Sequence, residues 1–335
     1  MPGTYLNLLD LAKRQDPDGT AADIVEIMKL SNPILDDLPV VEGNLPTGHR
    51  TTLRSSLPSA IWRKLYQGVP VSKSSTAQIE ETCGMLEARN EIDAELALLN
   101  AGDESFRLSE ASAFIQAMSH QMAASVFYGS TANGDPFNGF ATRYNTSAGD
   151  IGQQVISAGG GASNNTSIYV TVLGTQTIHG IVPKGSKAGI DHKDLGEIDA
   201  FDSDNNRFRA VADLWRWKMG LVVRDYRAVV RVANISAADL LTAGLASGTQ
   251  AKDAASNILR KVVEAKYRIP PQVRAQGRLV AYMNPRVVSA FKLLGLEKSV
   301  NALALSNGEQ QLADGFDGIK FVECESLLNT EAAVV

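Results

Sequence analysis

Any chemistry in this chain of 335 residues would have to come from four histidines, two cysteines, and local clusters of carboxylates or glycines. His49, His120, His179 and His192 share no spacing used by metal sites, and His120 sits between Ser119 and Gln121 on the polar side of an expected helix. Cys83 and Cys324 have no paired spacing for zinc or redox work and read as buried thiols of a reducing compartment. Asp202, Asp204, Asn206 and Asp213 imitate a calcium loop, but Arg207 stands where the sharp turn needs Gly, and Asp213 stands where the loop closes on Glu. The run from Gly180 to Lys187 ends in Gly-Ser-Lys, reversing the order a phosphate loop requires, and Pro183 removes an amide donor. Gly159-Gly160-Gly161 lacks dinucleotide-loop spacing, and neither a Gly-x-Ser-x-Gly elbow nor a His-Glu-x-x-His pair occurs. The expectation is a protein that is not an enzyme, with no catalytic residues, metal or cofactor.

Charge carries more information. From Pro46 to Ser75 the chain holds five basic residues (Arg50, Arg54, Arg63, Lys64 and Lys73) and no acidic one, interleaved with Leu53, Leu57, Ile61, Trp62, Leu65, Val69 and Val71. The preceding 45 residues carry eight carboxylates, among them Asp36, Asp37 and Glu42, against three basic residues. Too few large apolar groups are present for the basic stretch to bury both faces, so neither segment reads as core. An acidic segment and a basic one, both projecting, suggest contact with nucleic acid, an anionic polymer or another copy of the chain.

Elements to position these segments follow from periodicity. The basic stretch reads as a hairpin, with strands around His49–Ser56 and Lys73–Thr82 and a bend near Gln67-Gly68. Residues 36–48 read as an extended connection after a helix that Asn32-Pro33 ends. Leu108, Ala111, Ile115, Met118, Met122 and Val126 recur at steps of three and four, predicting one helix over 103–128, capped by Asp103 or Ser105 and stopped by a left-handed Gly129. Ser167–Leu173 and Gln176–Val182 read as partner strands, and Phe208–Val232 as a strand-forming block. Helices are expected over 236–245, over 251–267 and from Asn284-Pro285 to Gly295, with strands at Arg278–Met283 and Gly318–Val322. A formal charge of -5 argues against a general nucleic-acid binder. No signal-peptide pattern or bilayer-length apolar run is seen, which predicts a soluble protein made in a cytoplasm, without membrane contact.

The run Leu57-Pro58-Ser59-Ala60-Ile61-Trp62-Arg63-Lys64-Leu65-Tyr66-Gln67-Gly68-Val69 resembles the major capsid proteins of tailed bacteriophages, closest to those of short-tailed phages of the epsilon type. The likeness continues in order through Ser72–Glu81, Glu87–Leu99, Phe127-Tyr128-Gly129, Phe137–Phe140 with Arg143-Tyr144, Gly180–Ser186, Val230–Ile235 and Ala281–Asn284. It implies an α+β fold of the Hong Kong 97 type, with an N-terminal arm over 1–45 and an extended loop over 46–90. A peripheral domain would take 91–150 and 308–335, with its spine helix at 103–128, and an axial domain 151–307. It implies an icosahedral shell of hexamers and pentamers around the phage genome, assembled in the host bacterial cytoplasm. The other partners implied are a portal, scaffolding and cement or decoration proteins, and packaged double-stranded DNA held by non-specific contact.

On this reading Arg50, Arg54, Arg63, Lys64 and Lys73 pair with carboxylates of neighbouring copies, including Asp36, Asp37 and Glu42, while Leu57, Trp62 and Leu65 supply apolar burial. The alternative is a non-enzymatic DNA- or polyanion-binding protein that grips its ligand with hairpin 46–75.

Overall fold

A computed structural model describes residues 32–99, 104–161, 163–202, 204–238, 240, 249–292 and 315–335. Its first elements are α1 (Pro33–Asp37), β1 (Val40–Glu42), β2 (Gly48–Ser56), β3 (Ser75–Thr82), β4 (Gly84–Asp93), α2 (Ala94–Leu99) and α3 (Glu104–Tyr128). There follow α4 (Phe140–Arg143), α5 (Gly149–Gly152), β5 (Val155–Ser157), β6 (Asn165–Leu173), β7 (Ile178–Val182), β8 (Ile190–Phe201), β9 (Arg207–Val223) and β10 (Val229–Ser236). The described chain closes with α6 (Thr249–Arg268), α7 (Pro271–Arg274), β11 (Arg278–Met283), β12 (Gly315–Phe316) and β13 (Ile319–Glu323).

Among the described residues, every strand except β2 and β3 joins one 11-stranded sheet, and those two pair only with each other. At the centre β6 runs antiparallel to both β10 and β11, and β13 adds parallel to β11. Every residue of β6 is buried, because α6 lays Ile258 and Val262 toward the sheet while Tyr169 meets Phe127 of α3 and Phe140 of α4. The expected ladder between 167–173 and 176–182 does not form. β7 meets β6 at one pair, Leu173 and Ile178, and lies instead between β9 and β1.

One local expectation is corrected at the start of the described chain. Pro33 opens a helix at its first position, where its missing N–H leaves no bond unmade, and the helix that Asn32-Pro33 was expected to end lies outside the described residues. The stretch read as an uncommitted connection is part of the core: Ile34 and Leu38, four residues apart on one side of α1, are buried, and β1 pairs parallel with Gly180–Val182.

The long helix spans Glu104–Tyr128. Met118, Met122, Val126 and Phe127 are buried along it, whereas Ile115 faces outward. Gly129 stops it for a reason other than a left-handed backbone: a Cβ there would lie 2.5 Å from the Ser125 carbonyl oxygen and 2.7 Å from that of Phe137. Ser105 falls inside the helix, and the cap expected from Asp103 lies outside the described residues, as do residues 1–31, nearly all of the helix expected over 236–245, and the expected stop at Gly295.

The expected loop boundary at residue 90 falls inside a strand. β4 pairs along its whole length with Ala210–Met219 of β9, β8 flanks β9 on the other side, and α3 covers one face of this three-stranded layer. Phe114 stacks on Trp215 at 5.1 Å, and Arg107 donates to Asp213 at 2.9 Å. On the other side of the molecule Arg231 and Glu331 form a buried ion pair at 2.8 Å. Glu331 also accepts from the hydroxyls of Tyr128 and Ser167, and Arg231 donates to the carbonyls of Ala141 and Tyr144, so neither charge is left without partners.

Candidate intersubunit interface

β2 and β3 form an antiparallel ribbon in which Gly48 faces Thr82, Arg50 faces Glu80 and Arg54 faces Thr76. Every described side chain from Arg54 to Glu80 is exposed. Between the strands, residues 57–74 form an irregular tip around a turn at Leu65-Tyr66, where Tyr66 takes a left-handed φ of 66°. Arg63 Nε donates to the Gln67 carbonyl at 2.8 Å, the Gln67 N–H to the Lys64 carbonyl at 3.2 Å, and the Ser72 hydroxyl to the Ser59 carbonyl at 2.9 Å. None of these contacts buries apolar surface, so Trp62 is 100% exposed and Leu65 89% exposed. A monomer gains nothing from such side chains in water, and a contiguous apolar and cationic tip on a bare ribbon marks a contact surface.

The root, by contrast, is clamped. Arg143 donates both terminal nitrogens to the Glu81 carboxylate at 2.7 Å each, and its Nε donates to the Asn138 carbonyl. The Thr82 hydroxyl donates to the Pro136 carbonyl, and the Cys83 N–H to the Thr47 carbonyl. Gly139 lets this junction close, since a Cβ there would strike the backbone of Phe127 at 2.7 Å and of Gly129 at 2.8 Å. The ribbon is a lever with a fixed base and a bare end.

The expected contact residues fall into two groups. Arg54, Leu57, Trp62, Arg63, Lys64, Leu65 and Lys73 come together on the exposed arm, and Asp36 is exposed at α1. The remaining three are engaged within the chain. Arg50 pairs with Glu80 at 2.8 Å directly across the ladder, Asp37 pairs with Arg278 and accepts from the Tyr282 hydroxyl at 2.9 Å, and Glu42 accepts from the Gly185 N–H at 2.7 Å. Sequence reasoning missed the Arg143–Glu81 clamp, because two residues so far apart in the chain show no periodic signal. It also read only a polar turn near Asp202. There β8 and β9 run on past the end of β4 as a second ribbon, with Phe201 beneath the Arg207 guanidinium and an Asx turn in which Asp202 accepts from the N–H groups of Asp204 and Asn206.

No group of three His, Cys, Asp or Glu residues among the described residues could hold a metal ion. Asp213, the last position of the imitated calcium loop, lies between Arg107 and His192, bracing α3 against the sheet. Burial pushes both Cys83 and Cys324 thiols up to about 11, keeping them protonated and inert near neutrality. No helix among the described residues is long and apolar enough to cross a membrane.

Comparison with known proteins agrees with this geometry. The family model for major capsid protein GP7 matches residues 16–335. A chain in the cryo-electron microscopy structure of bacteriophage Epsilon15 is 27% identical, with a TM-score of 0.77 over 100% of this chain and 98% of that one. The capsid of bacteriophage JBD30 is 12% identical, with a TM-score of 0.48 over 97% of this chain and 95% of that one. No curated protein matches. With the family model spanning residues 16–335, the chain belongs to the major capsid protein GP7 family and has the Hong Kong 97-type fold.

Proposed function

We propose that the icosahedral shell this protein builds is closed by its hairpin, which serves as a clasp between copies. The observation that carries the reading is the exposed tip, where Leu57, Trp62 and Leu65 sit bare among Arg54, Arg63, Lys64 and Lys73. The apolar groups supply burial and the cations supply register, and repetition around a closed shell multiplies a weak contact into a stable particle. The acidic partners are carboxylates of a neighbouring copy, with Asp36 and Glu42 the exposed candidates of the described stretch, Asp37 and Glu42 contributing only if they exchange their own partners. Arg50, already paired with Glu80, stiffens the ribbon more than it grips a neighbour.

Around this clasp the chain divides as an arm over 1–45, a loop over 46–90, a peripheral domain over 91–150 and 308–335 and an axial domain over 151–307. It acts without catalysis. It assembles as hexamers and pentamers in the bacterial cytoplasm, with a portal and with scaffolding or cement proteins, and lines packaged double-stranded DNA through non-specific contact. Reversing charge with Arg63→Glu and Lys64→Glu tests the clasp: electron microscopy is expected to show no particles while circular dichroism shows folded, soluble protein. Normal shells from that variant would refute it.

A further inference from the structure

His49 and His179 meet where the hairpin root rests on the sheet. His49 belongs to β2 and His179 to β7, where it is buried, and their rings cross edge to face with centroids 5.9 Å apart and planes at 83°. The Nδ1 atom of each ring is sealed from solvent without a hydrogen-bond partner. A neutral imidazole tolerates such a place poorly, and a protonated one far worse, because it brings a second donor and a charge with nothing to receive them.

The surrounding charges give no relief. Arg224, just past β9, donates to the Thr175 carbonyl and Gln176 Oε1, and its charge opposes a proton on both rings. Glu81, opposite His49 in the ribbon, is held by Arg143, and Glu80 by Arg50. On β1, Glu42 is taken by the Gly185 N–H, and Cys83, after β3, is a neutral thiol.

We propose that the His49–His179 contact is a protonation-sensitive hinge: two neutral rings seat the hairpin root on β7, and a proton on either ring unseats it and frees the ribbon to change its angle to the body. This holds whatever the tip touches. Burial pushes the His179 imidazole down to about 4 and acts on His49 in the same direction. Because the seated form disfavours the proton, it has full strength above the ordinary imidazole value of about 6.5 and weakens as pH falls from there toward 4. With an ordinary imidazole at His179 in the unseated form, that ring alone lowers the seated-to-unseated ratio about 20-fold between pH 7 and pH 5.

Hydrogen–deuterium exchange on the full-length soluble protein, corrected for the intrinsic effect of pH, measures this opening. Protection at residues 48–50 and 80–82 is expected to drop about 20-fold from pH 7 to pH 5 while that of β6 holds. The double variant His49→Phe with His179→Leu is expected to remove the drop. No drop in the unmodified protein, or an equal drop in the double variant, would overturn the hinge. Where the double variant does not fold, His179→Phe alone decides: it keeps an aromatic ring against His49 and removes the imidazole that carries the change of about 20-fold, so a much smaller drop supports the hinge and an undiminished one overturns it.

Discussion

β2 and β6 are both nine-residue strands, yet one is bare for much of its length and the other is buried at every position. β6 carries Ile168, Tyr169, Val170, Val172 and Leu173, and is bordered by a strand on each side and by helices above and below. β2 carries Leu53 as its one large aliphatic residue, has β3 on one side, and shows an open edge guarded by charge. Strand formation and burial are therefore separate decisions. Threonine and alternating polarity suffice for the first, and the second needs enough apolar area for a neighbour to cover. The body buries its apolar groups, whereas the ribbon leaves Trp62 and Leu65 exposed.

Substitutions in the two regions should separate folding from assembly. The largest loss of stability is expected from Arg231→Ala, which leaves Glu331 charged and buried without its cation. A cost of about 3–5 kcal/mol in urea unfolding is expected, and a cost below about 1 kcal/mol would mean the pair behaves as a surface bridge. Next is Gly139→Ala at the root, where the added methyl strikes the Phe127 and Gly129 backbone. A cost of about 1–3 kcal/mol is expected in the same measurement, with loosened protection at residues 80–82. Trp62→Ala should leave unfolding within about 0.5 kcal/mol of the parent while particle yield in sedimentation collapses, and a destabilised monomer would show that the tip packs on its own body. The smallest effect belongs to Arg50→Ala, whose exposed pair with Glu80 contributes less than about 1 kcal/mol and fades as salt is raised. Particle loss as deep as for the Arg63 and Lys64 reversal would instead place Arg50 in the contact itself.

Several features of the fold were legible in the chain because local rules decide them. The helix ending at Tyr128 shows itself by steps of three and four, the hairpin by alternation around a polar bend, and α6 by its apolar stripe. Other features were opaque because their cause is distant. Gly129 looked like a left-handed stop, but the backbone of Phe137 packed against it is what demands glycine. Asp37 and Glu42 looked like charges waiting for a neighbour, but Arg278, Tyr282 and Gly185 reach them in the folded chain.

The sequence by itself determined that residues 46–75 would project, because too few large apolar groups are present there to bury both faces. Composition and spacing alone set whether a segment can bury itself and whether ligand groups can converge. Only the tertiary structure decided which charges are already spent. Arg50, Asp37 and Glu42 are engaged inside the chain, Arg143 fixes the ribbon's base, and two histidines on strands distant in sequence meet beneath it. Such pairings depend on sheet order and register, and strands distant in sequence are brought together only by the burial of the shared core.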